Sequence, residues 1–372
     1  MKKIVFMGTT KARIIAFYLP QFHPIPENDE WWGKGFTEWT NVGKAKPLFK
    51  GHYQPKVPAD LGYYDLRLPI IREQQVELAK EAGVYGFCYW HYWFGNGKRL
   101  MESIFDEVLS TGKPDFPFCL GWANHSWYAK DWNADSVKNK RLLIEQCYPG
   151  LEDLRLHMDY LLKAFNDPRY IKVNNQPLLH IFDPMTLPQL YIDKLQEWSK
   201  DAGFQDGIFL VANSVIKRPV EMFLNKGYRA VTFQRASSAK YHYYNKFQKA
   251  LFRMKDLCKK VVYNYPLFSE EYKKALLIDP EVDSQNCVIP AIIPNWDHTP
   301  RSGKYGRILL NSTPELFKQH VTLALRTIEN KPDELKILFL KSWNEWAEGN
   351  YMEPDLKFGK GYINALKEAL EK

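Results

Sequence analysis

Apolar positions in this chain come in short continuous runs, not in alternation. Eight runs recur: 13–20 (RIIAFYLP), 85–93 (YGFCYWHYW), 116–124 (FPFCLGWAN), 176–184 (QPLLHIFDP), 208–214 (IFLVANS), 230–237 (AVTFQRAS), 287–296 (CVIPAIIPNW) and 336–343 (KILFLKSW). Strands covered on both faces read this way, as in a parallel sheet sheathed by helices. Helical periodicity fills most of the gaps, over 69–82, 99–111, 151–166, 187–201, 313–328 and 359–371. Three joints repeat one pattern of helix, glycine, short loop and strand: KEAGVYGF, KDAGFQDGIFLV and NKGYRAVTF. A glycine just past the last helical turn explains each. Strands alternating with helices predict an α/β fold, a (β/α)8 TIM barrel formed as one domain over 1–372. A doubly wound open sheet is the alternative, but no GxGxxG or Walker loop supports it.

Two segments break the period and predict long insertions after strands 1 and 6. Residues 21–68 are rich in Pro, Gly and Trp and read as a loop without helix. Residues 238–285 form a basic aromatic insertion, with seven Lys/Arg against one Asp between Lys240 and Asn264. Apolar residues at 247, 251, 254, 257 and 261 give it helical spacing. An amphipathic cover for the barrel and a contact with an anionic, lipid-linked substrate are both open readings.

Barrel enzymes work at the C-terminal ends of their strands. The first run delivers Tyr18 and His23, the second Trp90 and His91, the third Trp122, Asn124, His125 and Trp127. The fourth ends in Asp183, the fifth in Asn213, the sixth in Gln234 and Arg235. The seventh ends in Asn295, Trp296, Asp297 and His298, and the eighth in Trp343, Asn344, Glu345, Trp346 and Glu348. Indoles stack on the C–H faces of sugar rings, and amides, acids and imidazoles bond the hydroxyls, so the mixture predicts a carbohydrate site. Glu345 and Glu348, three apart on a tight turn, fit the two carboxylates of glycosidic chemistry. Proximity raises one of two such pKa values and makes a proton donor.

Composition sharpens this picture. The chain is 15% aromatic, with 12 Trp and 22 Tyr, more than a core needs. The net charge of +8 permits an anionic partner, but no Lys/Arg run marks a nucleic-acid arm. Five Cys without CxxC argue against a disulfide framework and for a reducing compartment. His residues lack HxH or HExxH spacing, so the reading calls for no metal and no cofactor. The apolar stretch near the N-terminus is shorter than a signal peptide needs, and no run approaches a membrane span. The expectation is a cytoplasmic protein, at most peripheral to the inner membrane.

FYLPQFHPIPENDEWWGKGFTEWTNV, YGFCYWHYWF, GWANHSW and SWNEWAEG, in that order, resemble the WbsX-type polysaccharide-biosynthesis proteins. These are similar to glycoside hydrolase family 99, the endo-α-mannosidases and endo-α-mannanases. The resemblance runs from about Arg13 to Glu353 and implies a (β/α)8 barrel that retains anomeric configuration. It implies that Glu345 deprotonates the sugar 2-hydroxyl, which attacks C1 to give a 1,2-anhydro intermediate. Glu348 is then the general acid and, later, the base. The first-strand motif FYLPQFHP departs from the hydrolase pattern. The resemblance thus leaves mannose and the acceptor, water or another sugar, undetermined. The expected partner is an oligosaccharide or polysaccharide, or a lipid-linked glycan at a membrane surface. A transferase or transglycosylase of O-antigen or capsule synthesis, and a non-catalytic carbohydrate-binding protein, are the rival readings.

Overall fold

A computed structural model describes residues 12–130, 140–215, 218–235, 247, 250, 251, 254, 257, 266, 268–275 and 277–371. Each of the eight apolar runs carries one barrel strand: β1 (Arg13–Tyr18), β2 (Gly86–Trp93), β3 (Phe118–Trp122), β4 (Gln176–Ile181), β5 (Phe209–Ser214), β6 (Ala230–Phe233), β7 (Ala291–Ile292) and β8 (Ile337–Leu340). All neighbours pair in parallel, in the order β6-β5-β4-β3-β2-β1-β8-β7. The ring closes where the Val231 N–H donates to the Cys287 carbonyl at 2.8 Å and the Ile289 N–H to Val231 at 2.8 Å. A closed ring leaves no sheet edge unpaired.

The longer helices among the described residues are α1 (Pro26–Trp32), α2 (Glu38–Gly43), α3 (Pro69–Ala82), α4 (Glu102–Thr111), α5 (Leu151–Phe165), α6 (Gln189–Asp201), α7 (Val220–Leu224), α8 (Pro314–Ile328) and α9 (Gly361–Glu371). Helix α3 starts with Pro at its first turn and stops at Gly83, whose φ of 82° is left-handed. The expectation of a helix-free loop over 21–68 is corrected by α1 and α2. Both are too short to show a period. Their signals were local: Pro26 opens α1, and a Thr37–Thr40 capping box opens α2.

Inside the ring, Phe17, Trp90, His180 and Phe339 pack as one layer, with Phe17 stacked on Trp90 at 4.8 Å and on Phe339 at 5.0 Å. A Cβ on Gly121 would meet the Trp90 ring at 3.2 Å, so β3 gives up a side chain there to seat the indole. Of the insertion over 238–285, Phe268–Glu271 form a strand paired in parallel with Arg307–Leu310. Most of 238–267 lies outside the described residues. Among the described residues no helix is long and apolar enough to cross a membrane.

Candidate active site

Beyond β8 the chain makes a tight turn, Trp346–Glu348, that ends at Gly349 with φ of 56°. A Cβ there would meet Asp297 Cβ at 2.7 Å and Lys56 Nζ at 2.6 Å, so only glycine lets the turn seat so deeply. The Asp297 N–H donates to the Glu348 carbonyl at 2.8 Å, and the Ser342 hydroxyl accepts the Glu345 N–H at 3.0 Å. The turn thereby sets Glu345 and Glu348 close enough that each shifts the pKa of the other.

Their electrostatics are opposite. Burial, and then the charge of Glu348, push Glu345 up to about 8. Burial works against Glu348 too, but the Arg301 guanidinium at 2.5 Å, followed by His298 at 3.6 Å, holds it at about 2. Arg301 is fixed from behind by Glu38, at 3.0 Å. Glu38 comes from α2, which packs Trp39 against Trp346 at 5.5 Å. The pair therefore favours one proton on Glu345 and a negative charge on Glu348 near neutral pH.

Side chains of a strand point alternately in and out, and this parity sorts the other expected site residues. Trp90 faces in. Phe182 joins it to His125, with ring centroids at 5.8 Å and 4.6 Å, and burial lowers the His125 pKa. Trp127 packs on Tyr92 at 5.2 Å, and Tyr92 lies within the field of Glu345, Arg301, Glu38 and Glu348. Asp183 is half-buried beyond β4. His23 lines a cleft with Arg67, Arg99 and Glu102 that shares no residue with the acid pair.

The rest stand behind the wall, not on it. Tyr18 is buried against Tyr89 and donates to Gln75 of α3 at 2.7 Å. His91 meets His157 of α5 at 2.9 Å, and the Trp122 indole donates to the Trp93 carbonyl at 3.0 Å. Trp343 is fully buried against Phe87. Asn124 clamps the Asp183 backbone through two bonds of 2.8 Å. Asn344 clamps Leu19 of the first-strand loop, at 2.8 and 3.0 Å. Asn295 accepts from Lys56 at 3.1 Å, and Asp297 is enclosed by His52, Gln54 and Thr299. Trp346 stacks on Tyr351 at 3.8 Å and donates to Glu353 at 2.6 Å. In this structure each of these nine is held by such partners.

Several residues at the mouth escape sequence reasoning. Glu38 lies on α2 and Arg301 on a single helical turn, Thr299–Ser302, both too short for a period to mark them. Glu353 is a buried carboxyl that also accepts from Tyr64 at 2.9 Å and Gln75 at 2.6 Å, and burial raises its pKa to about 7. It braces the acid-bearing turn from behind through Trp346. Lys341 is the inward-facing residue after β8, where Leu340 ends the apolar run. A lysine ending so apolar a run was the available signal.

Two carboxyls at the C-terminal mouth of a closed parallel barrel are an arrangement that glycosidic chemistry uses. The chain belongs to the WbsX family: a family model described as Glycosyltransferase WbsX matches residues 14–366. Two curated WxcX proteins of Xanthomonas campestris pv. campestris are similar to it, at 33% identity over 99% of this chain and 34% over 97%. The chain spans about half of their length, 51% and 50%. Among solved structures, a glycoside hydrolase-like protein is similar in fold at a TM-score of 0.60 and 15% identity, over 100% of this chain and 97% of its own. The family 99 endo-alpha-mannosidase of Bacteroides thetaiotaomicron follows at 0.55 and 14%, over 96% of each chain.

Proposed function

We propose that this chain acts with retention on an α-linked, mannose-like sugar of a bacterial surface polysaccharide, through Glu345 and Glu348. The observation that carries the reading is the acid pair itself: two carboxyls on one turn, Glu345 buried and Glu348 half-buried against Arg301, with their pKa values pushed apart. Glycosidic chemistry needs one carboxyl to give a proton and one carboxylate to take one. The ionised Glu345 takes the 2-hydroxyl proton, O2 bonds to C1, and the C1–oxygen bond to the leaving group breaks as Glu348 protonates that oxygen. Glu348 then deprotonates water or an acceptor hydroxyl, which opens the 1,2-anhydro ring at C1, and Glu345 returns the proton to O2. Two inversions give retention. The electrostatics of the pair alone favour the reverse order, with the proton on Glu345 and Arg301 holding Glu348 ionised, so these roles require bound sugar to invert it.

Product analysis on α-linked mannosyl and rhamnosyl oligosaccharides tests this. An activated aryl leaving group needs no acid. Glu348→Gln should therefore keep more activity on aryl glycosides than on native linkages, and Glu345→Gln should lose both. Equal losses on both substrates in both variants would overturn the division of roles.

The pH profile follows from the same pair. The singly protonated pair is the active form, so kcat/KM should be bell-shaped, with its alkaline limb near the Glu345 value of about 8. Arg301 lowers both carboxyls, so Arg301→Gln should move both limbs to higher pH. A variant whose limbs stay in place while only the maximum falls would remove Arg301 from the electrostatics of the pair.

A second reading, transfer to or from a lipid-linked glycan at the inner membrane, has one specific support. Phe247, Leu251, Met254 and Leu257 are helical and exposed. Their spacing places them on one side of a helix in a segment with seven basic residues and one acid. The expected result is flotation with vesicles containing anionic lipid, lost in Met254→Asp and weakened by salt. Equal flotation with zwitterionic vesicles would sink the charge argument.

A further inference from the structure

The inward residues at the ends of β5, β6 and β8 leave a set of hydrogen-bonding atoms unspent. Lys341 is half-buried, with Glu348 and Glu345 within its field. Its ammonium donates to Gln234 Oε1 at 2.5 Å and lies 4.5 Å over the Trp296 ring. That uses one of its three N–H bonds. Among the described residues no carboxylate lies within ion-pair distance of it, and the neighbouring Arg301 is spent on Glu38 and Glu348. The Gln234 amide nitrogen, the Trp296 indole N–H, the Thr232 hydroxyl and the Asn213 amide oxygen are buried without a partner. Thr232 and Asn213 are register neighbours across β5 and β6, and Gln234 follows on the same face. Burying so many polar groups is costly unless something completes them.

The balance of these atoms selects the ligand. Lys341, Gln234 and Trp296 offer N–H donors. Only Asn213 offers an acceptor that cannot also donate. A neutral hexose presents hydroxyls, which donate as readily as they accept. A carboxylate presents two coplanar acceptor oxygens and one negative charge, which suits adjacent Lys341 and Gln234 donors. We infer that this floor is a subsite for an acidic sugar, with its carboxylate on Lys341 and Gln234. The inference rests on the glycan-binding part of the function proposed above and narrows its substrate class to uronic-acid-containing polysaccharide.

The test is binding of the protein to an array of bacterial polysaccharide fragments. Each acidic member is printed beside its carboxyl-reduced form, which differs only at the acid group. The expected result is capture of acidic members, with a loss of about tenfold or more on carboxyl reduction, the worth of one charge-assisted bond. Gln234→Glu gives Lys341 an internal counter-ion and should abolish the preference. Lys341→Met should do the same while keeping or raising Tm, because it removes a desolvated charge. Acidic and reduced forms bound equally, or a preference that survives in both variants, would overturn the subsite and leave a neutral sugar site standing. Capture of acidic fragments without cleavage would instead leave the subsite and remove water as the acceptor. If no glycan is captured, both fall.

Discussion

Glu345→Gln and Glu348→Gln should each lower kcat/KM on a cleaved native glycan by about 10²–10⁴-fold, the contribution of a positioned acid or base. The two losses should not add, because each carboxyl works on the proton the other holds or receives. Stability should move the opposite way in Glu345→Gln. Its folded pKa of about 8 lies above the ordinary 4.5, so the folded chain keeps a proton that the unfolded chain releases. Folding stability is therefore drained as pH rises from about 4.5 to about 8, and the drain is complete above that. The amide removes the drain. Its Tm gain over wild type should grow across that window and level off beyond it. A Tm difference independent of pH would mean that Glu345 titrates normally and is not the strained member of the pair. Sites that bury like charges for chemistry give up stability in this way.

The barrel was legible because each strand is covered on both faces and therefore reads as an unbroken apolar run. The same property hid the site's walls. A strand with one wet face shows its parity as alternating polar and apolar residues, but a doubly buried strand does not. Tyr18, His91 and Trp122 therefore looked as able to face the mouth as Trp90 and Tyr92, their neighbours in sequence or in the sheet. Only the packing separates them. Phe17 and Trp90 stack inside the ring, while Tyr18 and His91 meet Gln75 of α3 and His157 of α5. The acid pair was legible for a different reason. Two carboxyls and two indoles within six residues, Trp343 to Glu348, are an expensive way to leave a buried strand. Arg301 and Glu38, which set the charge on Glu348, lie 47 and 310 residues from it, on a short turn and on a helix of six residues. No local pattern ties them together.

Asp297→Ala should be the most destabilising single change near the site, at about 3–5 kcal/mol, the cost of breaking a buried charge network by removing one member. Asp297 is buried and accepts four hydrogen bonds: from His52 at 2.8 Å, Gln54 at 2.7 Å, the Thr299 N–H at 3.0 Å and the Thr299 hydroxyl at 2.6 Å. The Leu48 N–H donates to His52 Nδ1 at 3.0 Å, which leaves the other ring nitrogen as the donor to Asp297. Burial opposes the charge on Asp297, yet the His52 bond, then Lys56 and Thr299, hold its carboxyl at about 2. That is below the ordinary 3.8, so this stabilisation is present above that value and is lost as pH falls toward 2. Alanine would leave four donors buried with no acceptor. The damage should reach the chemistry, because the Asp297 backbone carries the Glu348 carbonyl and the loop holding His52, Gln54 and Lys56 closes over Gly349. Urea unfolding should show the loss, and activity should fall even where the variant remains folded. A loss below about 1 kcal/mol, the scale of an ordinary single hydrogen bond, would mean that the network does not mount the turn. Asp297 would then be free to return to the sugar-binding role its place at the strand end suggested. Asp297→Asn separates the two roles. It keeps the shape and one acceptor but turns an N–H₂ toward donors, so a mounting residue should still lose stability there, and a sugar ligand should lose only affinity.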